Sequence, residues 1–128
     1  MTVDDHARMM EKVTRVGDLY DFYGVLLTER QRQMVELSYL DDWSLAEIAS
    51  HFDVSRQAVH DSLHRAVQQL ETFEASLHLL ESHRRQREQV QRLTVAWQQA
   101  EGAVPETVRE EIRACITALA KEFQMEAG

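Results

Sequence analysis

Six side chains in the run SRQAVHDSLHR carry the chemistry of nucleic-acid recognition: Ser55, Arg56, Gln57, His60, His64 and Arg65. Arginine and glutamine are the types that pair in bidentate fashion with guanine and adenine at base edges. Arg65 and the helix caps are suited to holding phosphates. Asp61 lies in the same run and repels them. A second basic run, HRRQR, offers Arg84, Arg85 and Arg87. Such a run is commonly a solvated face, but arginine forks also suit RNA phosphates.

Catalytic constellations are missing. His60 and His64 have the four-residue spacing of a helical metal pair, but HDSLH lacks the glutamate of a zinc-protease motif and no third ligand is evident. Cys115 is the only cysteine, set on an apolar helix face without a histidine at useful spacing, so it reads as a structural thiol. Asp41 and Asp42 read as a solvated turn. No glycine-rich phosphate loop exists. The expectation is a non-enzymatic chain with no catalytic residue, no metal and no cofactor.

The elements that position the first run are legible from their caps. Thr28 and Gln31 have capping-box spacing and start a helix over about Glu29 to Tyr39. Ser44 and Glu47 form a second box, with Trp43 and Ile48 at the staple positions. That helix runs from about Ser44 to His51, with Leu45, Ile48 and Ala49 inward. Phe52, Asp53 and Val54 make the turn, and Asp53 stands where a left-handed residue is needed. Ser55 caps the next helix, whose Ala58, Val59, Leu63 and Ala66 face inward. The unit is a helix-turn-helix with a supporting helix before it.

The flanks read as helices too. Met9, Val13, Val16, Leu19, Tyr20, Tyr23 and Leu26 recur at helical spacing and read as core. Between Ser55 and Glu101 there is no Gly or Pro. Leu63, Val67, Leu70, Phe73, Leu77 and Leu80 make a stripe longer than a three-helix domain can cover, so its remainder is expected to pack on a second subunit, giving a homodimer, or on the C-terminal helix. The arginines at 84, 85 and 87 mark the expected bend. Gly102 and Pro105 separate a last helix, on which Val108, Ile112, Cys115, Ile116, Leu119 and Phe123 line a face that folds back.

LTERQRQMVELSYLDDWSLAEIASHFDVSRQAVHDSLHRA resembles region 4 of bacterial sigma factors. It is more similar to the YlxM-like family of small bacterial helix-turn-helix proteins. DFYGVLLTERQ and YLDDWSLAEIA carry that resemblance, which covers roughly residues 10 to 80. The resemblance implies an all-helical cytoplasmic protein with a regulatory role in the signal recognition particle pathway. Its implied partners are the particle's GTPase, its RNA, or both.

Charge shapes the choice of partner. The chain of 128 residues carries a net charge of -8. Residues 1–79 hold seven basic and fourteen acidic side chains, so the helix-turn-helix half accounts for -7 of it. Phosphate neutralisation supplies most generic DNA affinity, so this half is expected to bind generic DNA weakly. No apolar run approaches the ~20 residues that span a bilayer. The N-terminus lacks a signal-peptide pattern, and cysteine usage fits a reduced cytosol. The expected fold is all-α: a sigma region 4-like helix-turn-helix domain at 1–79, then long helices at 80–128. The expected function is an accessory of the particle pathway, with a sequence-specific DNA-binding regulator as the alternative.

Overall fold

The structure is a computed structural model that describes residues 2–123, and every described element is helical. Six α-helices follow in order: α1 (Val3–Tyr23), α2 (Glu29–Val35), α3 (Leu45–Phe52), α4 (Arg56–Leu77), α5 (Leu79–Ala100) and α6 (Glu106–Glu122). Short 3-10 turns follow α1 and α5, and α2 widens into a π turn over Glu36–Leu40. The chain divides into two compact units, Met1–Leu80 and Glu81–Gly128.

The first unit holds the helix-turn-helix. Thr28 and Ser44 close the expected capping boxes with Gln31 and Glu47, each side chain answering the other's backbone N–H. The Ser55 hydroxyl accepts from the Ala58 amide at 3.0 Å and starts α4. These caps satisfy amides that a helix otherwise leaves open. Asp53 is left-handed, with φ 55° and ψ 50°, and its amide donates to the carbonyls of Ala49 and Ser50. Asp42, just past the Asp41 cap of the π turn, is left-handed as well, at φ 59°.

The core gathers Val16, Leu19 and Tyr23 of α1, Met34 and Val35 of α2, Ile48 of α3, and Val59, Leu63, Ala66 and Leu70 of α4. Trp43 and Val54, the outer staple positions, pack against it. Burying a side chain of this size contributes about 1.5–3 kcal/mol, so this one cluster fixes α3 and α4 against α1 and α2.

Several apolar stripes are only partly buried. Met9, Val13 and Leu26 are exposed, so the α1 stripe is core only from Val16 to Tyr23. Leu45 is also exposed. It is the first residue of α3, and the cap turns it outward. Most of the Leu63–Leu80 stripe is consumed inside the first unit, with Leu77 left exposed.

The helix break falls at His78, not at the arginines, which sit inside α5. His78 is left-handed, at φ 55° and ψ 29°. In the second unit α6 folds back on α5: Arg113 pairs with Glu101 at 3.0 Å, and the His83 and Phe123 rings lie 5.2 Å apart. Of the expected α6 face only Ile116 is buried; Val108, Ile112, Cys115 and Leu119 are exposed.

Candidate nucleic-acid interface

The α3–turn–α4 unit presents one face of α4 to solvent. Because Val59, Leu63, Ala66 and Leu70 fill the inward stripe, the helical period turns Gln57, Asp61, His64 and Gln68 outward. Six sequence-derived candidates lie here, and all are exposed. Ser55 acts as the cap. Arg56 follows it in the first turn and has no hydrogen bond or ion pair among the described residues.

Asp61 organises the rest of this face. Its carboxylate accepts from Gln57 Nε2 at 2.9 Å and lies 3.5 Å from His60 Nδ1. Arg65 Nε reaches the Asp61 carbonyl at 3.4 Å. The Gln57 and His60 hydrogen bonds hold the Asp61 carboxyl below the usual carboxylate range, with the nearby Arg65 charge adding to them. Asp61 therefore stays ionised at neutral pH, in the middle of the surface that would face a groove. The His60 and His64 rings stack in parallel with centroids 6.5 Å apart.

Neighbouring contacts stiffen the unit. The Arg30 guanidinium lies over the Phe52 ring at 5.3 Å, tying the start of α2 to the end of α3. The His51 ring is T-shaped to those of Trp43 and Phe52, with centroids 5.5 and 4.9 Å away. Gln31 Nε2 donates to Gln69 Oε1 at 2.9 Å and joins α2 to α4. Arg15 forks onto Glu71 through Nε and NH2, joining α1 to α4 and lowering the Glu71 carboxyl. A helix face fixed to this many neighbours is presented with little freedom to reorient.

Arg84, Arg85 and Arg87 lie on α5 in the second unit, all exposed. Arg85 is 3.9 Å from Glu81 one turn earlier, which partly offsets its charge. The fold therefore groups the six helix-turn-helix residues on one helix and leaves these three on another.

A family model described as "Putative helix-turn-helix protein, YlxM / p13 like", UPF0122, matches residues 10–111. The chain belongs to the UPF0122 family. A UPF0122 protein of Bacillus mycoides is 42% identical over 113 residues, covering 88% of this chain and 98% of the relative. UPF0122 protein GK1195 of Geobacillus kaustophilus is 49% identical over 85 residues, covering 66% of this chain and 77% of the relative. UPF0122 protein BH2485 of Halalkalibacterium halodurans is 49% identical over 88 residues, with 69% and 81% covered. UPF0122 is described as a helix-turn-helix family. The helix-turn-helix itself, all-α and built around α3 and α4, lies wholly within the matched span. No helix among the described residues is long and apolar enough to cross a membrane.

Proposed function

We propose that this UPF0122 member is a non-enzymatic regulatory protein of the signal recognition particle pathway. Its helix-turn-helix serves as a docking scaffold for the particle's RNA, its GTPase, or both. The pathway assignment rests on the YlxM-like resemblance, which also implies a cytoplasmic setting. The docking assignment rests on one observation: an ionised Asp61 sits at the centre of the α4 face and engages Gln57. In a major groove that carboxylate meets phosphates, and Gln57 is not free to read adenine. The net charge of -7 on residues 1–79 works in the same direction.

The alternative is a sequence-specific DNA-binding regulator. Arg56 favours it, being exposed in the first turn of α4 without a carboxylate partner. The two readings separate in a titration of the full chain. One arm uses duplex DNA; the other uses particle RNA together with its GTPase, at several salt concentrations. Saturable binding to the particle components supports the first reading. Sequence-selective duplex binding with a steep salt slope, and none to the particle, overturns it.

Self-association belongs to the same proposal. The exposed Val108, Ile112 and Leu119 of α6 support a homodimer in place of the stripe now consumed in the first unit. Sedimentation that finds only monomer at tens of micromolar contradicts it.

A further inference from the structure

Arg30 and Arg65 line a single cleft of about 550 Å³ between α2 and α4. Met34 forms part of its apolar wall, and Gln31, Gln69 and Ser62 supply polar lining. No carboxylate among the described residues lines this cleft. That is notable in a unit where acidic side chains outnumber basic ones two to one. The two arginines are also distinct from their neighbours. Arg15 and Arg32 are engaged by Glu71 and Glu29. Arg30 rests on the Phe52 ring and pairs with no carboxylate among the described residues. Arg65 spends only Nε, on a backbone carbonyl, so both its terminal nitrogens lack a partner there. The Gln69 amide nitrogen likewise has no acceptor, because only its oxygen is taken, by Gln31.

We propose that this cleft binds a backbone phosphodiester of a nucleic-acid strand. Unspent guanidinium and amide donors without a competing carboxylate suit a phosphate, and arginine forks bind it in bidentate fashion. The volume lies within the range of small-ligand clefts, about 300–1,000 Å³. Arg65 borders the exposed α4 face, one turn beyond Asp61. This geometry lets an acidic domain hold nucleic acid through a local cationic notch. The proposal rests on the preceding reading only in taking nucleic acid as a partner. The phosphodiester is shared by RNA and DNA.

The test uses the full chain and its Arg30→Gln/Arg65→Gln variant. Each is titrated with a labelled RNA hairpin and with a duplex DNA of equal length, between about 50 and 200 mM salt. The parent is expected to bind at least one of them at the lowest salt. In the variant, affinity there falls about tenfold, and the log–log salt slope flattens by about 1.8 for duplex or about 1.4 for single-stranded contacts. The Arg30→Lys/Arg65→Lys variant, which keeps both charges, retains most of the slope. Should the glutamine double variant melt early, Arg65→Gln alone carries the test, with about half the slope change. Overturning results are a parent that binds neither probe, or a folded variant with parental affinity and slope. Duplex-only binding with the expected slope change sustains the cleft and sinks the particle reading. In a third arm that offers the particle GTPase, binding there alone sinks the cleft and leaves that reading standing.

Discussion

The Tyr23 hydroxyl donates to Glu74 Oε1 at 2.6 Å, and the Leu80 amide donates to the same oxygen at 3.0 Å. The Leu79 amide in turn donates to the Tyr23 hydroxyl at 3.0 Å. A buried phenol on α1 and a buried carboxylate on α4 thus cap the first amides of α5, where negative charge is favoured. The break at His78 follows from this node.

Tyr23→Phe removes the hydroxyl and leaves the Leu79 amide without its acceptor. The expected loss is about 1–3 kcal/mol in denaturant unfolding. Burial, with the Glu74 hydrogen bond second, raises the Tyr23 phenol above its ordinary value. Its protonated form is therefore favoured by folding. That contribution is fully present below about pH 10, the ordinary phenol value, and is lost as pH rises through the raised value. Tyr23→Phe should flatten the alkaline decline in stability; a decline as steep as the parent's would show that the node is not its source.

Two glycines on one helix axis should respond in opposite ways to alanine. At Gly17 a Cβ meets nothing within 4 Å, so Gly17→Ala should stabilise by about 0.5–1 kcal/mol. At Gly24 a Cβ falls 2.8 Å from Tyr20 Cε2, on a rigid ring. Gly24→Ala should cost about 1–3 kcal/mol through overpacking. Thermal unfolding of both variants reads the contrast, and equal shifts would contradict the packing described.

Asp53 tests the turn between α3 and α4. Asp53→Val places a β-branched residue in the left-handed region and should cost about 1–2 kcal/mol. Asp53→Gly should keep parental stability or exceed it slightly. Parental melting of the valine variant would mean that the turn relaxes without strain.

Asp61→Asn removes the carboxylate from the α4 face while leaving the core untouched. Generic duplex binding should tighten, most clearly at low salt. The melting temperature should stay near the parent's, since Asp61 is exposed. Fluorescence anisotropy showing no gain at low salt would mean that this face does not meet DNA.

Much of the first unit was legible because it is punctuated locally. Thr28, Ser44 and Ser55 announce their helices by type and spacing, and Asp53 announces the turn. Long-range features were not. The π turn at Glu36–Leu40 has no simple residue signature, and the Tyr23–Glu74 node joins residues far apart in sequence, so nothing near His78 signals a break. Apolar spacing also overstated the core, because it shows a face but not whether anything covers it, as at Met9, Val13, Val108 and Leu119. The candidate face on α4 was readable, but its internal bonding through Asp61 depends on side-chain rotamers that spacing does not fix. Arg30 escaped notice because only the fold brings it beside Arg65.

The most direct test of the docking scaffold is one competition. The full chain is bound to signal recognition particle RNA with its GTPase, and duplex DNA is added at physiological salt, about 0.15 M. The account predicts saturable binding to the particle components that excess duplex does not displace. Displacement by a preferred duplex sequence, or no measurable binding to RNA or GTPase, would contradict it.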